Sequence, residues 1–268
     1  MNRSLITLAM VILFIGIARV AAAEPKIVGK IVDYSVQGTA MKSYLAYDEN
    51  ITGKHPGVLV VPEWWGLNDY ARKRARMLAE LGYVAFAVDL YGNGKIAANP
   101  DEASNLSSEL AKNFDVAKGR FVSAMDFLKQ QPNVDPSRIA AIGYCMGGTM
   151  VLNMAGQGVD LKGAASFHGS LGGVKPPQPS GVKARILVLN GGADKRVTPE
   201  QIAKFKKEMK TAGADFRFIS YPGALHSFTN PEATELGKKF NMPVAYDARA
   251  DQESWNEMKE FLRRIFEK

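Results

Sequence analysis

The residues with the most chemistry in their spacing are Gly143-Tyr144-Cys145-Met146-Gly147-Gly148. Cys145 is the only cysteine of the chain, and glycines stand two positions before and two after it. That spacing suits a sharp strand-to-helix turn, in which a Cβ at either flank would clash. A helix starting just after the sulfur turns its free N–H groups and positive dipole end toward it, which favours a thiolate nucleophile. A sulfur nucleophile needs a base, and the base needs an acid to orient it. His226 lies in Tyr221-Pro222-Gly223-Ala224-Leu225-His226-Ser227-Phe228, a loop after the last candidate strand, and Asp194 follows an apolar run through Asn190-Gly191-Gly192-Ala193. Cys145, Asp194 and His226 are therefore the expected catalytic set.

Such groups meet only if the ends of several strands converge. Residues 26–37 and 41–48 alternate apolar and polar and read as an antiparallel pair. Short apolar runs at 57–61, 84–90, 139–144, 163–167 and 186–189 suit central strands buried on both faces, and 216–221 suits a half-buried one. Helical patterns fall at 69–81 (capped by Asn68 and ended by Gly82), 101–131 (one or two helices closing at Pro132), 146–155, 199–212 and 249–266. The last shows Trp255, Met258, Leu262 and Ile265 at helical spacing, so it should pack on the sheet. This rhythm predicts an α/β fold with a mostly parallel central sheet and helices on both faces, whose sites lie beyond the carboxyl ends of the strands.

That placement sorts the remaining candidates. His55 precedes a strand and reads as a surface loop residue at the wrong end of the sheet. His168 ends a strand but comes before Asp194, which breaks the order nucleophile, acid, histidine of an α/β-hydrolase; it reads as a packing or pocket residue. The strand ending at Val61 runs into Pro62-Glu63-Trp64-Trp65-Gly66, where a second oxyanion donor belongs. The backbone N–H groups of Trp64 and Met146 are then the donors, and Glu63 is an acid at the mouth of the site. Trp65, Tyr91, Tyr144, His168 and Phe228 are the expected substrate-pocket residues.

These stretches resemble the dienelactone hydrolase family. The matching residues are Pro62 to Asn68, Val88-Asp89-Leu90-Tyr91-Gly92, the cysteine turn, Gly192-Ala193-Asp194 with Val197 and Pro199, His226-Ser227-Phe228, and a C-terminal helix through Trp255. The resemblance implies a Cys145–His226–Asp194 triad and ester or lactone hydrolysis through an acyl thioester. It also implies that Glu63 hydrogen-bonds the resting thiol and helps generate the thiolate. Two family arginines that hold a substrate carboxylate have no match: the corresponding stretches read Gly92-Asn93-Gly94-Lys95 and Thr229-Asn230-Pro231. Lys95 could supply a point charge there, but not a bidentate fork.

Composition bounds the rest. Residues 1–23 read as a signal peptide, with Arg3 in the charged region, an apolar run over 5–17 and cleavage after Ala23. The expected product is exported, periplasmic or secreted, with a single domain over 24–268. Loss of Arg3 and Arg19 reduces the net charge from +7 to +5. The run Arg72-Lys73-Arg74-Arg76 reads as a solvated helix face, so no nucleic-acid partner is expected. One cysteine excludes an intrachain disulfide and a multi-cysteine zinc site, and no metal-ligand spacing, dinucleotide loop or phosphate loop stands out. No metal and no cofactor are expected. The expected partner is a small-molecule ester or lactone, bound by a monomer with no stable membrane insertion after cleavage. A general carboxylesterase or peptidase-like hydrolase, and an exported non-catalytic binding protein, are the alternatives.

Overall fold

The computed structural model describes residues 24–178 and 181–267. The expected leader over 1–23 lies outside the described residues. Strands β1 (Ile27–Val36) and β2 (Thr39–Asp48) form an antiparallel hairpin with Val36 opposite Thr39 at its turn. β2 then pairs antiparallel with β4 (Val84–Ala87). From β4 onward all pairing is parallel, through β3 (His55–Val61), β5 (Val134–Tyr144), β6 (Gly163–Phe167), β7 (Arg185–Gly191) and β8 (Phe216–Tyr221). The eight strands run in the order β1-β2-β4-β3-β5-β6-β7-β8.

Side chains alternate across this sheet, so each strand feeds two cores. Leu59, Val61 and Ala141 face α2 (Pro100–Lys112), α3 (Phe114–Lys129), α4 (Met146–Gly156) and α5 (Pro199–Thr211). Val58, Val60, Ile142 and Tyr144 face α1 (Asp69–Ala79) and α7 (Ala248–Phe266). Trp255, Met258, Leu262 and Ile265 are all buried, as their spacing implies.

The differences from the sequence reading have local causes. β4 stops at Ala87 because Asp89, buried, takes the N–H groups of Lys42, Gly92 and Gly94 on its carboxylate and bends the chain away. The helical stretch at 101–131 breaks at Asn113 into α2 and α3. α1 ends at Ala79, which leaves Leu81 exposed instead of on the apolar face. A short helix, α6 (Ala233–Phe240), was not expected. The basic run on α1 is not wholly solvated. Lys73 and Arg76 are exposed, but Arg74 shares the buried stripe of Tyr70, Ala71, Ala75 and Leu78 and is only 3% exposed. Its guanidinium can be buried because Nη2 donates to Asp251 of α7 at 2.5 Å and to the Thr229 carbonyl at 2.6 Å.

Candidate active site

Cys145 joins β5 to α4 with φ +52° and ψ −116°, a strained conformation for a residue with a Cβ. The flanking glycines are obligatory. A Cβ on Gly143 would lie 2.1 Å from the Gly147 carbonyl oxygen, and one on Gly147 would lie 2.2 Å from that of Val61. The Cys145 N–H is held from two sides, donating to Phe167 O at 3.0 Å and to His168 Nδ1 at 3.1 Å. Met146, first residue of α4, carries an N–H with no acceptor inside the helix.

Three loops beyond the strand ends bring the expected set together. His226 Nε2 lies 3.0 Å from Cys145 Sγ, and His226 Nδ1 lies 2.7 Å from Asp194 Oδ2. All three residues are buried. Burial opposes charge on His226, but the Cys145 sulfur and the Asp194 carboxylate outweigh it and raise the imidazole to about 10. Burial likewise opposes charge on Asp194, yet the hydrogen bond and charge of His226 hold it below the usual carboxylate range. Its other oxygen accepts the Arg196 N–H at 2.9 Å.

Glu63 departs from the role the resemblance implied. It is not at the mouth of the site, being 2% exposed, and it does not hydrogen-bond the thiol. Its two oxygens accept from Ser227 Oγ at 2.9 Å and Asn230 Nδ2 at 2.8 Å, both on the loop that carries His226. Burial raises its pKa against these two hydrogen bonds and the charges of His226 and Arg74.

The cavity at Cys145 has a volume of about 370 Å³. Leu110, Ala111, Phe114, Met146 and Met150 give it an apolar wall, which Trp64 and His226 extend. Lys175 and Arg196 also line it, and among the described residues no carboxylate does. Lys175 Nζ sits 3.8 Å from the centre of the Phe114 ring. This cavity lies on the α2, α3 and α4 side of the sheet. Tyr144 and Phe228, expected to line it, belong to the core under α1 and α7; strand alternation turns Tyr144 away from the cavity, and Phe228, on the loop after His226, is buried in that same core. His168 is also fully buried, in edge contact with Phe228 and with His226. Trp65 packs against Trp64 and Phe240 of α6, outside this cavity. Tyr91 lines a separate cavity of about 420 Å³. Its hydroxyl donates to the Trp64 carbonyl at 2.8 Å and lies 3.4 Å from Met146 Sδ, tying together the two expected oxyanion donors.

Sequence reading missed Ser227, Thr229, Asn230, Arg74, Lys175 and Arg196. The first three directly follow His226, and Tyr70 and Arg74 are one helical turn apart; both were usable signals. Nothing local pointed to Lys175 or Arg196.

A sequence profile of the dienelactone hydrolase family matches residues 41–266. Protein usf of Aquifex pyrophilus is 28% identical over 232 residues, covering 85% of this chain and 95% of its own. A protein of Escherichia coli (strain K12) provisionally named a carboxymethylenebutenolidase is 28% identical over 239 residues, covering 85% and 83%. Among solved structures, a dienelactone hydrolase-like promiscuous phosphotriesterase from metagenomic libraries superposes with a TM-score of 0.83 at 32% identity, covering 89% of this chain and 98% of that one. The structure titled m3DLH gives 0.83 at 35% identity, covering 90% and 99%.

Proposed function

The chain belongs to the dienelactone hydrolase family and is a carboxylic ester hydrolase, and from that premise we propose that Cys145, His226 and Asp194 cleave an ester or lactone through an acyl thioester. The observation that carries this reading is the continuous relay from Sγ through the imidazole to the carboxylate, at 3.0 and 2.7 Å. His226, raised to about 10 by the Cys145 sulfur and the Asp194 carboxylate, is suited to hold the proton that the sulfur gives up on attack. The thiolate attacks the substrate carbonyl carbon, and the carbonyl π pair moves onto oxygen. The N–H groups of Trp64 and Met146 stabilise that oxyanion by about 3 kcal/mol each. As the carbonyl re-forms, the C–O bond to the leaving group breaks, and His226 Nε2 gives its proton to the departing oxygen. His226, now neutral, takes a proton from water. The resulting hydroxide adds to the thioester, and collapse expels the Cys145 thiolate and a carboxylic acid. Asp194 holds Nδ1–H throughout, so that Nε2 faces the sulfur.

Glu63 secures Ser227 and Asn230 and so fixes the His226 loop; reaching the thiol would require it to give up one of these partners. The cavity supports a substrate with an apolar acyl or aryl body and an anionic group, since Lys175 and Arg196 line it and no carboxylate does among the described residues. With the leader removed after Ala23, the reaction takes place outside the cytoplasm, and the intact mass of the exported protein checks that cleavage. For the chemistry, p-nitrophenyl acetate and an enol-lactone are offered to wild type and Cys145→Ala. Turnover is expected only in wild type, with an acyl adduct on Cys145 by mass spectrometry. Equal turnover in the variant would remove the thiol from the reaction.

A further inference from the structure

We propose that His168 is a positioning residue whose neutral imidazole holds the peptide N–H of Cys145 and thereby fixes the sulfur in register with His226. The inference rests on the reading of Cys145 as the nucleophile. It begins with an atom the triad does not use. The Cys145 N–H points below the turn and meets His168 Nδ1 at 3.1 Å, beside its contact with Phe167 O. A peptide N–H can only donate, so Nδ1 carries no proton, and a neutral ring carries its proton on Nε2. Nε2 lies 2.7 Å from Thr229 Oγ1 and donates to it. The backbone of the nucleophile thus selects the tautomer of a second histidine.

Beyond Thr229 the chain of contacts continues into the interior. Thr229 Oγ1 lies 2.6 Å from the Tyr70 hydroxyl, which accepts from Arg74 Nε at 3.3 Å. Arg74 also donates to the Thr229 carbonyl and to Asp251. His168 is therefore clamped at both nitrogens, one end on the nucleophile's turn and the other on a framework joining α1, α7 and the His226 loop. Its ring touches that of His226 edge-on, with centroids 5.3 Å apart. The cost of the positive φ at Cys145 gives this clamp its purpose. A turn held in a sparsely populated conformation persists only when its surroundings over-determine it. Two acceptors on one N–H do that from beneath, and leave the N–H of Met146 free above.

The two nitrogens can be tested separately. An asparagine places Oδ1 near the position of Nδ1 and keeps an acceptor for the Cys145 N–H. A glutamine reaches toward Thr229 but leaves the N–H without its second acceptor, and a leucine removes both contacts. His168→Asn is expected to keep kcat within about threefold of wild type. His168→Gln and His168→Leu are expected to lose about 30- to 100-fold in kcat with KM within about threefold, the penalty of a misplaced reacting group. Alkylation of Cys145 by iodoacetamide at pH 7, with no ester present, should rank the variants the same way, the last two slowed about tenfold. This second assay reads the position of the thiol even if no ester is turned over, so failure of the hydrolase reading and failure of the clamp are separable. Equal kcat and equal alkylation in all forms, or an Asn variant that falls as far as Gln, overturns the proposal. If the leucine variant does not fold, the Asn and Gln pair decides. Loss of the fold in all three would assign His168 to stability alone and overturn it equally.

Discussion

His226 and His168 stand 5.3 Å apart between ring centroids, both buried beyond the ends of parallel strands, yet their surroundings drive them to opposite charge states. His226 faces two acceptors of positive charge, the Cys145 sulfur and the Asp194 carboxylate, and is raised to about 10 despite its burial. Among the described residues, the hydrogen-bond partners of His168 are the Cys145 N–H and the Thr229 hydroxyl, neither of them an anion. Burial, then the charges of His226 and Arg74, push it well below 6.5. One residue type thus yields a proton carrier in one region and a neutral hydrogen-bond bracket in the other. What differs is the company each ring keeps, since the dry interior amplifies both attraction and desolvation.

The largest test of this contrast is Cys145→Ala. It removes one of the two groups that hold the proton on His226, and kcat should fall by about 10⁴-fold or more. The His226 ring should then titrate closer to its ordinary value by NMR, while His168 stays neutral. Asp194→Asn attacks the other partner of the same ring. It frees Nδ1 to lose its orientation, and kcat should drop by about 10³- to 10⁴-fold with little change in KM. Arg74→Met acts on the His168 side. It leaves Asp251 without its guanidinium and Thr229 without one donor, at a cost of about 3 kcal/mol in chemical unfolding. A loss below about 0.5 kcal/mol would show the ion pair to be incidental.

The pH dependence of stability separates the two rings by sign. His226 is raised, so its contribution is fully present below pH 6.5 and lost as pH climbs through about 10; His226→Gln should flatten that alkaline decline. His168 is lowered, so its contribution is present above pH 6.5 and lost as pH falls below that; His168→Asn should flatten the acid decline. Identical curves for the variants and wild type would remove the contrast. The smallest effect is expected for Tyr91→Phe. Loss of the hydrogen bond to the Trp64 carbonyl should lower kcat by about tenfold and leave both histidines unchanged, the magnitude of one ordinary hydrogen bond.

Much of this was legible in the chain. The alternation in 26–37 and 41–48 and the short apolar runs mark strands because side-chain periodicity is a local property. The cysteine turn is legible because its torsion requires glycines at fixed offsets, and the structure shows a Cβ there striking backbone 2.1 and 2.2 Å away. Asp194 and His226 are marked by their places after strands, and the imidazole lies 2.7 Å from the carboxylate on one side and 3.0 Å from the sulfur on the other. Glu63 was legible as a residue but not in its contacts. Its partners Ser227 and Asn230 lie more than 160 positions away, and nothing nearby predicts that they would occupy both carboxylate oxygens.

By itself, then, the sequence determined the periodicities, the strained turn and the identity of the three groups at the strand ends. Each is dictated by residues within a few positions of one another. Only the tertiary structure decided which face of the sheet holds the cavity, and so turned Tyr144 and Phe228 away from it. It also decided that Arg74 of a basic run is buried against Asp251, and that Lys175 and Arg196 reach the cavity from separate loops. It set the protonation of the two histidines as well. Those outcomes depend on long-range contacts and on burial, and both arise only when distant segments pack and exclude water.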